Sequence, residues 1–323
     1  MLSSWEFRPD VLIVLVSLGT LYFVGWRRVR RQSMHHKLAN GLRLASYLSG
    51  LGIIAISLMS PIDRLGGQLF FMHMVQHLLF MMIAAPLLWL AEPFPIGLWA
   101  LPSRQRHAVG ALFMHDSVFR RGLATITAPG VSWLVFITIY IGWHDPNAYN
   151  AALHYSWVHN LQHITFFGAS MLFWWPVIGA APHIHGHFPG WAKLPYLIGV
   201  IPPNMFLGVS IAFSTNVRYT YYESIPRIWG FTIMQDQQLA GAIMWIAGSM
   251  MFIMAALVVL GLMFINEKSR PGPINAEWDS EQAMIAPGLE GRVIQNRWRR
   301  VTSPSLSELP PSDLPPSDLS QPL

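Results

Sequence analysis

His73 and His77, and again His159 and His163, stand four residues apart, each pair near the start of a long apolar run in a 323-residue chain without cysteine. A helix brings residues four apart onto one face, so each pair offers two imidazoles pointing the same way. Neutral imidazole is the commonest side-chain metal ligand and suits Zn, Cu, Fe and Ni, so the chemistry on offer is a metal or haem site. Without thiols, thiolate ligation and disulfide exchange are excluded. An oxidising compartment fits the same composition.

The elements that carry these pairs must lie in lipid. The chain is 53% hydrophobic and 11% charged, with 14 Trp, 18 Phe and 17 Met, the balance of a polytopic membrane protein. Runs long enough to cross a bilayer fall at 9–26, 40–59, 69–91, 129–143, 157–178, 193–214 and 237–265. The expected fold is therefore an all-α, seven-transmembrane helix bundle over 1–265. A Pro- and Ser-rich tail follows at 266–323, ending in a doubled PPSDL. Such a tail buries too little apolar surface to fold and is expected to be largely disordered. The first run is followed by its basic cluster and has no small-residue cleavage site, so it reads as a span and not as a signal peptide.

Lys and Arg placement orients the bundle. Arg27, Arg28, Arg30, Arg31, Lys37 and Arg43 crowd the first connection, which should be cytoplasmic. Alternating from there puts 17 of the 21 positive residues on that side, and only Arg8, Arg64, Arg218 and Arg227 on the other. The N-terminus is then outside and the C-terminus cytoplasmic. Net charge (+5) thus reports topology, and nothing in it calls for a nucleic acid.

With the sides set, depth follows from the helical rise. His73 and His77 lie about 6 and 12 Å from the outer end of the third span, and His159 and His163 occupy the matching turns of the fifth. His144 closes the fourth span and Asp236 opens the seventh at the same level. Ionisable groups inside spans are costly and face a cavity, a partner or an ion. Five histidines and a carboxylate in one slab therefore point to a bound metal, although a lone histidine would equally well be an interhelical hydrogen bond. Met72, Met74, Met81 and Met82 flank the first pair. Thioethers favour Cu(I), but methionine is also a common gap filler, and zinc remains open on nitrogen and carboxylate ligands. His154, Met72 and Met74 are secondary candidates.

Three blocks carry a resemblance: MHMVQHLLFMMIAAPLLWLAEP at the third span, HDPNAYNAALHYSWVHNLQHITFFGASMLFWWPVIG from His144 through the fifth, and DQQLAGAIMW at the seventh. In this order they resemble the CtaG-like family of cytochrome c oxidase assembly factors over about 70–265. The resemblance implies a multi-pass bacterial inner-membrane protein, non-enzymatic, that handles copper for a haem-copper oxidase. Its partners would be oxidase subunits or a copper donor protein, besides membrane lipid. It puts the family's histidine positions on His73, His77, His144, His159 and His163 and its acidic position on Asp236. Where the family often has an acid before the last histidine, this chain has Gln162. A single-span copper chaperone sharing the name relies on cysteines, which this chain lacks.

Two other functions compete: a seven-span zinc-dependent hydrolase with Asp236 polarising water, and a haem-binding electron-transfer protein with axial histidines. Elsewhere His183, His185 and His187 form HIHGH between two prolines, read as a polar loop. His35, His36, His107 and His115 lie in basic connections. Tyr219, Tyr221, Tyr222, Trp229 and Phe231 read as an interfacial belt. Pro86, Pro176, Pro202 and Pro203 should interrupt helices, with Asn204 offering a donor at the strongest break.

Overall fold

The computed structural model describes residues 5–32, 38–114, 116–185 and 188–268. His35, His36, His115, His187 and the expected tail lie outside them, except that residues 266–268 of that tail continue the last helix. Every one of the seven apolar runs is helical, and the described residues contain no strand. The first two runs form α1 (Pro9–Arg30) and α2 (Gly41–Met59), followed by the short α3 (Pro61–Gly66). The third run is α4 (Phe70–Leu78), a π-helical turn over Leu79–Ala84, and α5 (Ala85–Leu90). Three shorter helices, α6 (Pro93–Ala100), α7 (Ser103–Leu112) and α8 (Val118–Ile126), lead to α9 (Pro129–Trp143). Next come α10 (Pro146–His154) and α11 (Ser156–Ile178). The sixth run is α12 (Gly190–Ile198) and α13 (Ile201–Ala212). The seventh is α14 (Ile233–Ile243), a second π turn over Met244–Gly248, and α15 (Ser249–Lys268).

Five of these segments are long and apolar enough to cross a membrane, and six if the pair α8 and α9, bent by 52°, counts as one. Two of the seven expected runs fall short of that length-and-hydropathy test on their own, for two physical reasons. At 15 residues, α9 alone spans about 22 Å, short of a ~30 Å hydrocarbon core. By contrast α11 is long enough at 23 residues, but His159, Asn160, Gln162 and His163 in its first turns dilute its apolar character. The surfaces of α1, α13 and α15 expose Ile13, Phe206, Met254, Leu257 and Val258, large apolar side chains suited to lipid and not to water.

Residues up to Phe264 form one compact unit. Within it α4–α5 is the most enclosed segment. It packs on α2 to one side and on α11 to the other, and α14 meets its outer start. Backbones come close where glycine allows: a Cβ on Gly241 would lie 2.4 Å from the Ala212 nitrogen, and one on Gly208 2.8 Å from Trp245. This small-residue contact presses α13 against α14 and its π turn.

The sixth run turns at Gly199–Val200, ahead of Pro202 and Pro203, which occupy the first turn of α13. Proline lacks the N–H that a helix start leaves unused, so it fits there and excludes helix just before it. Asn204 does supply a donor, but to a neighbour: its Nδ2 donates to the Met244 carbonyl (3.1 Å) and to Ser249 Oγ (3.0 Å). A π turn leaves backbone carbonyls short of their usual partners, and Asn204 satisfies one of them. The first π turn is served likewise, the Trp174 indole N–H donating to the Met81 carbonyl at 2.8 Å.

Candidate metal centre

The four-residue spacing does what helix geometry requires. His73 and His77 share the inward face of α4 with ring centroids 4.4 Å apart, and His159 and His163 that of α11 at 4.2 Å. Between helices, His73 lies 5.4 Å from His159 and His77 5.4 Å from His163. One ligand atom from each of His73, His159 and His163 falls within 4.8 Å of the others, so a single ion can reach all three.

The nitrogens are unspent. Both ring nitrogens of His77 and His163, and Nε2 of His144, are buried without a hydrogen-bond partner, and His73 has only the Gln162 side chain and the Gly66 backbone within loose reach. Five orphaned imidazole nitrogens in one neighbourhood contravene the rule that buried polar atoms are satisfied. A metal satisfies a lone pair on each imidazole it binds. His159 is only half-buried and marks the side facing outward. Beside it, Asn160 Oδ1 accepts from Arg8 Nη2 at 3.3 Å.

His144 stands one layer away, against Tyr140 (4.9 Å) and Phe166 (6.0 Å) and not ring to ring with the other four. Its Nδ1 lies 2.6 Å from the Tyr140 carbonyl. A carbonyl only accepts, so Nδ1 carries the proton and Nε2 keeps the lone pair. With His77, Met74, Met81, Met82 and Met244, His144 lines a buried cavity of about 20 Å³, room for one water-sized body.

Asp236 works at a different place from the imidazoles. Its Oδ2 accepts from the Phe70 N–H and its Oδ1 from the Phe71 N–H, each at 3.0 Å, and Arg227 Nη2 lies 2.8 Å from Oδ2. The carboxylate therefore caps the N-terminus of α4 from another helix, where orphaned N–H groups and the helix dipole favour an anion. It aims the helix that carries His73 and His77. Gln76 braces the same helix, donating from Nε2 to the Ser57 carbonyl (2.7 Å) and Asp63 Oδ1 (2.6 Å). Burial pushes the Asp63 carboxyl up from its ordinary value, partly offset by that Gln76 contact.

The loop between α13 and α14 is a roof over Phe70 and not a belt. Tyr219 and Tyr222 are 2% exposed and Tyr149 1%, packed edge-on or tilted around Phe70 at 4.5–5.9 Å. The Tyr149 ring is 5.2 Å from His73, and Tyr219 Oη donates to the His144 carbonyl at 3.0 Å. Tyr222 Oη donates to the Gly66 carbonyl (2.9 Å), so in the Tyr149–Tyr222 contact at 3.2 Å Tyr149 is the donor. Burial pushes both hydroxyls well above the ordinary phenol range. Only Trp229 of the expected belt is strongly exposed.

Of the secondary candidates, Met74 lines the cavity. Met72 is half-buried outside it, and His154 is exposed at the end of α10 with its ring against Tyr221 at 5.1 Å. Gln162, where the family often has an acid, is 1% exposed with Oε1 unpartnered. Sequence reasoning did not reach Met244, Gln76 or Tyr140. Only Tyr140 left a trace, its spacing of four from His144.

A helical membrane protein with a buried polyhistidine centre is thus the class that fold and site define. Residues 20–264 match the family described as cytochrome c oxidase caa3 assembly factor (Caa3_CtaG), and the chain belongs to that family. It is 27% identical over 270 residues to an uncharacterized protein of Mycobacterium leprae, a stretch covering 81% of this chain and 39% of that one. Uncharacterized proteins of Mycobacterium bovis and Mycobacterium tuberculosis are each 26% identical over 269 residues, again 80% of this chain and 39% of theirs. The chain thus spans about two-fifths of the length of these curated relatives. No solved structure matches it.

Proposed function

We propose that this protein binds copper on His73, His159 and His163, with His77 alongside, near the outer face of a bacterial cytoplasmic membrane, and passes it to a subunit of a haem-copper oxidase. The carrying observation is the cluster of three imidazoles from two helices with ligand atoms within 4.8 Å, amid buried ring nitrogens that nothing else satisfies. Family membership supplies the oxidase context. In this reading the chain crosses the membrane seven times with its N-terminus outside, following the distribution of Lys and Arg. Copper is cargo, taken up past the half-buried His159, and no turnover is required.

A three-histidine set with an open fourth position also suits catalytic zinc. Copper is preferred because the adjoining cavity is lined by thioethers, soft donors that select Cu(I). A hydrolase would also need a free acid, and both oxygens of Asp236 are engaged by Phe70, Phe71 and Arg227. The test is metal analysis with an absorbance spectrum after anaerobic reconstitution of the purified protein. Copper retained by the wild type and lost from His163→Ala is the expected result. Wild type that retains zinc and no copper, or shows a Soret band, overturns the reading.

A further inference from the structure

The imidazoles serve two overlapping neighbourhoods, with His77 in both. Three share a ligand-atom neighbourhood, whereas His77 and His144 line a small cavity with four methionines, Met74, Met81, Met82 and Met244. All six of these residues are at least nine-tenths buried. The His144 lone pair is fixed on Nε2 by the proton that Nδ1 gives to the Tyr140 carbonyl, and Nε2 has no partner. Both π turns border this cavity: Met81 and Met82 belong to the first and Met244 and Gly248 to the second. A π turn inserts an extra residue into a helix and re-aims the side chains of that turn, and such turns gather at functional sites. Each is maintained here by a side chain from another helix, Trp174 for the first and Asn204 for the second.

We infer a second metal station in this cavity, made by His77, His144 and methionine thioethers and selective for Cu(I). It rests on copper being the cargo of the three-histidine site. The donor chemistry differs between the two: the outer station offers imidazole alone, which accepts several divalent metals, and the inner one mixes two imidazoles with soft sulfur, which favours the cuprous ion. His77 connects them, its ring 4.4 Å from His73 and 5.4 Å from His163 on one side and in the cavity wall on the other. Movement from one to the other is ligand exchange of Cu(I), with no electron transferred and no proton released, since each imidazole binds through a lone pair.

The experiment uses the full chain in detergent, loaded anaerobically with Cu(I) from a chelator buffer and read by copper per chain and by X-ray absorption at the copper edge. Wild type is expected to take up two copper ions, with sulfur among the scatterers. The combined Met81→Leu, Met82→Leu, Met244→Leu variant, which conserves side-chain volume, should hold one and lose the sulfur signal. His159→Ala should hold one and keep it. A wild type holding one copper with sulfur scattering keeps the inner station and removes the outer. Nitrogen scattering alone in the wild type, a reading independent of how well any variant folds, overturns the inner station, as does a methionine variant with an unchanged copper count.

Discussion

Two regions of this protein are rich in histidine, and they are built in opposite ways. In the HIHGH loop between α11 and α12, His185 Nε2 pairs with Thr127 Oγ1 at 2.9 Å, and His183 is exposed to solvent. The loop borders a cavity of about 340 Å³ with Trp175 and Lys193, far roomier than the one beside His144. The cluster on α4 and α11 has its imidazoles on helices, with those of His77 and His163 enclosed and without partners. Density of histidine and size of cavity thus do not go together with rigid, unsatisfied imidazoles in this protein. Rigid presentation of unsatisfied nitrogens is the feature that favours a metal, because a metal gains most where no water or hydroxyl already occupies the lone pair.

The contrast can be broken most directly by substitution. His163→Ala should lower Cu(I) affinity by more than about 100-fold, beyond the 10–100-fold typical of mutating a partner outside the ligand set, in chelator competition. His183→Ala with His185→Ala should leave it within about twofold on the same reasoning. A loop variant that loses as much as His163→Ala would erase the distinction. Asp236→Asn tests the bracing of the site. Removing the charge from the α4 cap should cost about 2 kcal/mol in thermal unfolding and weaken copper about tenfold, with faster hydrogen exchange confined to the start of α4. Smaller still, Tyr222→Phe removes the donor to the Gly66 carbonyl and should cost about 1 kcal/mol without changing the copper count.

The roof also sets an alkaline limit. Tyrosines in the unfolded chain ionise near pH 10, whereas burial holds Tyr149 and Tyr222 neutral to higher pH. Above about pH 10 the unfolded state binds fewer protons than the folded one, so stability falls as pH rises. Tyr149→Phe combined with Tyr222→Phe should flatten that limb of a stability–pH curve. An equally steep fall in the double variant would show that other groups set it.

Much of the site could be read from the chain alone, because helix periodicity is local. Residues four apart meet whatever the tertiary context, and so His73 with His77 and His159 with His163 follow from spacing. The common depth of the two pairs follows from where the apolar runs begin. Cross-helix pairing of polar groups is not local, and there the reading stopped short. Asp236 looked like a member of the metal set because it shares the level of the histidines, but its carboxylate is spent on Phe70, Phe71 and Arg227. Tyr219 and Tyr222 carried the composition of an interfacial belt and are buried, since the loop folds back over Phe70.

The sequence by itself determined an all-helical chain built for lipid, two inward-facing imidazole pairs and ligands limited to nitrogen, oxygen and thioether. These depend on composition and on repeats of a few residues. Only the tertiary structure decided that four imidazoles gather apart from His144, that two π turns bring Met81, Met82 and Met244 to one cavity, and that Asp236 aims a helix. Those outcomes depend on how neighbouring helices satisfy one another's carbonyls and N–H groups, and no spacing within a single helix encodes that.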